Sequence, residues 1–250
     1  MIPKIIHYCW FGNAKMPELA LKCLESWRKY LPDYEIVVWN EQNFDVGMYR
    51  FASEAYQEKK YAFVADVCRL YALKTMGGIY LDTDVEFLRP LDESMLNDEA
   101  FTGFEDNFLL SSAIMGSEKD GKWINDLLPY YDNRSFYLNG GGHDVNPNTE
   151  IITEFMKTRK GVQINNVFQK LPNYCTIYPS DYFCPKSWKT LKVKRTANTY
   201  CIHHFAGSWL HNNNQSLLGR LANFLFGKEI ADAWSEKYHS KKNIKYKPKN

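Results

Sequence analysis

The stretch that most constrains this 250-residue chain is Gly77-Gly78-Ile79-Tyr80-Leu81-Asp82-Thr83-Asp84. The glycine pair ends whatever helix precedes it, because glycine accepts the positive φ of a helix C-cap without steric cost. Three apolar residues then read as a buried strand, and two carboxylates follow directly. In an extended backbone alternate side chains share a face, so Asp82 and Asp84 point the same way. Strand ends are where ligands bind in open α/β sheets. Two carboxylates converging there repel each other unless a cation lies between them. Hard oxygen ligands suit Mn2+ or Mg2+. Such an ion can hold a diphosphate and neutralise the charge that develops as it leaves. A D-x-D pair alone is also compatible with a plain turn.

The rest of the chain predicts an α/β fold. Residues 2–8 are apolar and β-branched, a first buried strand. Residues 17–30 carry Leu19, Cys23, Leu24 and Trp27 at helical spacing. Residues 34–39 form a second strand, which makes a βαβ opening and implies parallel pairing. Residues 53–76 read as one helix running into the glycine pair. Residues 101–115 supply one or two further strands, and 123–131 and 150–160 read as helices. Residues 139–144, around three glycines, form a loop near donor or acceptor. Residues 174–179 and 199–205 are strands. We place one catalytic domain over residues 1–210 and a helical, basic extension over 211–250.

Net charge is +2, so no strong field points at nucleic acid. The charge is uneven: Arg220 and the lysines at 228, 237, 241, 242, 245, 247 and 249 face only Glu229, Asp232 and Glu236. With the apolar run at 217–226, that end offers a peripheral contact with an anionic membrane surface, or a helix packed on the catalytic domain with a solvated tail. The six cysteines are scattered without a CxxC pair. They read as reduced thiols, and with no signal-like N-terminus the expected location is the cytoplasm, at most peripheral on its membrane face.

Other residues carry chemistry on their own terms. Asp66 and Arg69 are three apart on a helix and share a face. That helix is otherwise apolar, which favours a rigid polar pair for sugar hydroxyls over a solvated ion pair. His203 and His204 are adjacent in a strand-like run, so they face opposite ways and only one joins a given site. Trp10 ends the first strand, where its ring could stack on a base or simply fill the core.

Residues 61–84 (YAFVADVCRLYALKTMGGIYLDTD), 2–12 (IPKIIHYCWFG) and 203–209 (HHFAGSW) together resemble the family 32 glycosyltransferases, whose sugar-binding region contains a DXD motif. That family includes a yeast initiating mannosyltransferase, bacterial capsule enzymes and, more distantly, the clostridial glucosylating toxins. The resemblance spans roughly residues 1–210 in three ordered motifs. It implies a GT-A fold, a Rossmann-like mixed sheet flanked by helices. It implies a retaining transfer of a hexose from a nucleotide-diphosphate sugar, a UDP-sugar first, with Mn2+ or Mg2+. The acceptor it implies is an oligosaccharide or lipid-linked saccharide of capsular or lipopolysaccharide synthesis.

By the same resemblance Trp10 stacks on the base with Ile6 and His7 beside it, and Asp66 and Arg69 contact the donor sugar. Tyr80 and Asp82 touch the nucleotide sugar and its diphosphate. Asp84 is the direct metal ligand with Asp82 beside it, His204 is the C-terminal metal ligand, and Ser208 and Trp209 contact the diphosphate. Two other readings compete. Leu81-Asp82-Thr83-Asp84-Val85 fits the nucleophile motif of haloacid dehalogenase phosphohydrolases, with Asp82 attacking. A non-catalytic sugar-binding module would need the aromatics alone.

Overall fold

The computed structural model describes residues 1–105 and 108–206. The expected extension over 211–250, its basic tail and membrane contact, and the candidates Ser208 and Trp209 lie outside the described residues.

The chain opens with strand β1 (Ile5–Cys9), helix α1 (Glu18–Tyr30) and strand β2 (Glu35–Trp39). Next come helices α2 (Arg50–Gln57) and α3 (Tyr61–Met76), then strands β3 (Gly78–Leu81), β4 (Val85–Phe87), β5 (Ala100–Glu105), β6 (Leu109–Leu110) and β7 (Ile114–Ser117). Helices α4 (Lys122–Leu127) and α5 (Asn148–Lys160) follow. The described part closes with β8 (Gln169–Leu171), β9 (Cys175–Tyr178), the single turn α6 (Ser180–Phe183) and β10 (Cys201–His203).

The main sheet has the order β2-β1-β3-β7-β5-β9-β8, with β6 pairing β5 at its side. β1 pairs parallel with both β2 and β3, and β5 with β9, while β7 joins β3 and β5 antiparallel. This is the mixed sheet flanked by helices that the sequence implied.

β1 shows why the sheet is covered on both sides. Ile6 and Tyr8 face one core with Cys23, Leu24 and Trp27 of α1. Cys9 faces the other, with Phe63, Val64 and Val67 of α3. A strand buried on both faces reads as a continuous apolar run rather than an alternation.

α3 is buried nearly all round, with Phe63, Val64, Val67, Cys68, Leu70, Ala72 and Leu73 in the interior. A helix of that kind belongs in the middle of a protein, and it takes Asp66 and Arg69 inside with it. The single helix expected over 53–76 is two. The break falls at Glu58-Lys59-Lys60, where Lys59 adopts a left-handed φ of 56°. α2 and α3 each bury an apolar face, Phe51, Ala52 and Ala55 for α2, and a straight helix could not present both.

The glycine pair does more than end α3. Gly77 has φ 69° and Gly78 φ 108°. A Cβ on Gly78 would lie 2.5 Å from the Ile5 carbonyl of the neighbouring strand. Gly78→Ala is therefore expected to cost at least about 2 kcal/mol through strain at positive φ and loss of the β1–β3 fit. A shifted denaturant midpoint at unchanged m-value would register it.

Candidate donor and metal site

β3 ends at Leu81, and the DXD segment does not continue it. The Val85 amide donates to the Asp82 carbonyl at 3.0 Å, so residues 82–85 close a turn. The extended geometry expected for Asp82 and Asp84 is thus corrected: a turn, not strand alternation, brings them together. The chain then becomes β4, which pairs antiparallel with β10, setting Val85 opposite His203. α1 holds β4 in place. The Trp27 indole donates to the Val85 carbonyl at 2.7 Å, and the Phe87 amide donates to the Ser26 hydroxyl at 2.9 Å.

Among the described residues, the ligand atoms of Asp82, Asp84 and His203 all lie within 4.8 Å of one another. His203 Nε2 is 3.4 Å from Asp84 Oδ1, and the Ala206 amide donates to Asp84 Oδ2 at 2.7 Å. Burial pushes the Asp84 carboxyl up, but His203 and the Ala206 amide outweigh it and hold it down at about 2. Two carboxylates and an imidazole offer the oxygen and nitrogen donors a divalent cation takes, so this set fits the metal the resemblance implies.

His204, expected as the metal ligand, sits elsewhere. Its Nε2 is 2.7 Å from Glu86 Oε2, and Glu86 also meets Lys22 at 2.9 Å. The two histidines diverge because successive side chains on a strand take opposite faces. His203 is the one on the DXD side.

Behind the acidic pair lies Arg69. Its Nη2 is 3.2 Å from both Asp66 Oδ1 and Asp82 Oδ1, and Nη1 donates to the Ser112 carbonyl at 3.0 Å. The guanidinium lies over the Tyr80 ring at 4.6 Å, and the Tyr80 hydroxyl donates to Asp82 Oδ1 at 2.9 Å. Burial pushes Asp66 up to about 7, with Arg69 pulling the other way and Asp82 adding to the rise. Burial likewise raises Asp82 against the pull of Arg69. Asp66 is steadied from α5: the Asn148 amide donates to the Asp66 carbonyl at 2.9 Å, and Tyr131 in turn donates to Asn148 at 2.7 Å.

The first-strand candidates separate. Trp10 is half-buried at the end of β1, its indole N–H donating to the Ala14 carbonyl at 2.8 Å. Ile6 and His7, expected beside the base, are fully buried and reach no open surface. His7 Nε2 donates to the Gly77 carbonyl at 2.6 Å, while Nδ1 accepts from the Trp39 indole at 3.0 Å. Both expectations are corrected: Ile6 is core, and His7 staples β1 and β2 to the glycine turn.

Burial lowers His7 to about 4. The unfolded chain, with an ordinary pKa near 6.5, therefore binds this proton first. The stabilisation is complete above about pH 6.5 and is lost as pH falls towards 4, by up to roughly 3 kcal/mol. Thermal melts at pH 7 and 4.5 should diverge more for wild type than for His7→Gln.

Sequence reasoning missed Ser112, Asn148, Tyr131 and Glu105. They act through backbone carbonyls or at long range, and no local spacing marks them. Glu41, which takes the Gly12 amide at 2.6 Å beside Trp10, is another. In the loop at 139–144, His143 stacks on Phe136 at 4.8 Å and Tyr137 bridges to it, away from any contact with the DXD turn among these pairs.

The family described as "Glycosyltransferase sugar-binding region containing DXD motif" matches residues 17–102. Residues 17–102 are thus similar to a DXD-type glycosyltransferase sugar-binding region. The match runs from α1 into β5 and so contains Asp66, Arg69, Tyr80, Asp82 and Asp84. Inositol phosphoceramide mannosyltransferase 3 of Schizosaccharomyces pombe is 35% identical over 131 residues, which cover 51% of this chain and 36% of that protein. An uncharacterized glycosyltransferase, L373, of Acanthamoeba polyphaga mimivirus is 26% identical over 226 residues, 84% of each chain. The PaToxG glycosyltransferase structure superposes with a TM-score of 0.44 at 20% identity, over 63% of this chain and 69% of that one. The chain spans about a third of the length of the mannosyltransferase it matches.

The phosphohydrolase alternative gives way to the DXD region. Its nucleophile would be Asp82, but the segment that carries Asp82 matches a glycosyltransferase sugar-binding region.

Proposed function

We propose that the chain is a retaining glycosyltransferase that moves a hexose from a nucleoside diphosphate sugar to a saccharide or lipid-linked acceptor. A divalent cation at Asp82, Asp84 and His203 assists it. The observation that carries this reading is the convergence of those three side chains, from the DXD turn and the far β10, beside the buried Asp66–Arg69–Tyr80 group.

When bound, the cation supplies charge neutralisation for the departing diphosphate. An imidazole in the donor set favours Mn2+ over Mg2+. Arg69 and Tyr80 fix Asp82 through one oxygen, which leaves Oδ2 for a ligand. Arg69 also orients Asp66, whose carboxyl hydrogen-bonds sugar hydroxyls in this reading. Trp10 offers a ring face for the base at the carboxyl end of β1, where nucleotides bind open α/β sheets.

The donor of first choice is a UDP-hexose. GDP-mannose stands beside it as a second donor, in keeping with a relative named as a mannosyltransferase. The acceptor proposed from the sequence belongs to bacterial surface polysaccharide synthesis, made on the cytoplasmic side of the membrane. Among the described residues no helix is long and apolar enough to cross a membrane.

The test is a panel of nucleotide sugars, each followed for nucleoside diphosphate release with Mn2+ and with chelator. We expect one donor turned over only with metal. Phosphate released from a simple phosphomonoester, with every donor inert, would overturn the reading.

A further inference from the structure

His203 has a second neighbour that the donor site does not use. Its Nε2 faces Asp84, and its Nδ1 lies 3.7 Å from Glu105 Oε2. That Nδ1 is buried and lacks a hydrogen-bond partner. Glu105, at the end of β5, is itself only 5% exposed. The Ser111 hydroxyl donates to the same Oε2 at 3.4 Å, and the Cys184 thiol lies 3.7 Å from the Ser111 hydroxyl. A buried carboxylate is costly unless something accompanies it, and no described arginine or lysine forms an ion pair with Glu105.

Imidazoles that ligate a metal through one nitrogen usually donate the other N–H to a carboxylate or carbonyl, which fixes the tautomer and raises the basicity of the ligating nitrogen. The order Asp84–His203–Glu105 has that pattern. We propose that Glu105 is the positioning residue of the metal site: it takes the Nδ1 proton of His203 as a hydrogen bond and so presents Nε2 to the cation at Asp82 and Asp84. The 3.7 Å separation needs a shift of under 1 Å to become that bond. The inference rests on the metal reading above and deepens it, because it assigns the residue that decides how strongly His203 can ligate.

The experiment measures Mn2+ affinity by electron paramagnetic resonance of the free ion, in the full chain without donor. Wild type, Glu105→Gln, His203→Ala and the double variant form a cycle, with thermal melts as the control for folding. Losing an outer partner of this kind weakens metal binding by about 10–100-fold. We expect Glu105→Gln to weaken Mn2+ binding by about tenfold, at the lower end, because glutamine still accepts the hydrogen bond. In the His203→Ala background the same change should have no further effect, since Glu105 acts through His203. Should Glu105→Gln melt at the assay temperature, Glu105→Asp, which draws the same charge back by one methylene, is expected to weaken Mn2+ in the same sense. Wild-type affinity in the folded variant, or an effect that persists undiminished without His203, would overturn the proposal while leaving the metal site standing. Failure of wild type to bind Mn2+ at all would overturn the metal reading and the proposal with it.

Discussion

Asp84→Ala should abolish metal-dependent release of nucleoside diphosphate, by about a thousandfold or more in kcat/KM, and still fold. The rate loss follows from the proposed role of Asp84 as a direct ligand of a cation that would supply several kcal/mol of charge stabilisation. The fold survives for a reason of magnitude. Asp84 is held ionised at about 2 instead of 3.8, with burial opposing and His203 and the Ala206 amide prevailing. Losing that preference costs roughly 2 kcal/mol near neutral pH, and it shrinks as pH falls through the folded value. In a chain of this size 2 kcal/mol lowers Tm by about 4–8 °C. A variant with near-wild-type melting and wild-type turnover would sink the donor-site assignment.

Arg69→Ala is expected to be the most destabilising change in the site. The guanidinium is 6% exposed at its side chain and serves Asp66, Asp82 and the Ser112 carbonyl at once. Removing one partner of a buried charge group costs about 3–5 kcal/mol, because the carboxylates left behind have neither water nor a cation. The pH dependence has a definite sign. Without Arg69 both carboxyls are held further above their wild-type folded values, about 7 for Asp66, so the variant's deficit opens above those folded values and narrows as acid neutralises the carboxyls. Melts at pH 8 and pH 5 should show the gap to wild type closing at the lower pH. Arg69→Lys keeps the charge but not the fork, so it should recover part of the stability and little of the turnover. A deficit that does not change with pH would mean that Arg69 acts by packing, not by charge.

The comparison with the sequence is uneven for physical reasons. The βαβ opening and the buried strand before Asp82 were legible because continuous apolar runs mark strands covered on both faces, and the burial of Asp66 with Arg69 because the helix around them is apolar. The break at Lys59 was not, since a charged turn between two apolar helices looks like an exposed helix face. The DXD turn reads as extended in sequence because nothing in Asp82-Thr83-Asp84 marks where the apolar strand before it stops, at Leu81. The choice of His203 over His204 depends on the register of β10 against β4. Adjacent identical residues give a sequence no means of choosing register, and only pairing with Val85 does so. The resemblance places His7 beside the base, yet its two nitrogens are spent on Gly77 and Trp39. Glu105 left no trace because its partner lies 98 residues away, from 105 to 203.

The most direct test of the central claim is the Mn2+ dependence of donor turnover in His203→Ala and His204→Ala, measured side by side with the nucleotide sugar that wild type prefers. The account predicts that His203→Ala shifts the Mn2+ requirement upward by at least about tenfold, on the scale of a lost ligand interaction, while His204→Ala follows the wild-type curve. A shifted curve for His204→Ala beside an unchanged one for His203→Ala would contradict it.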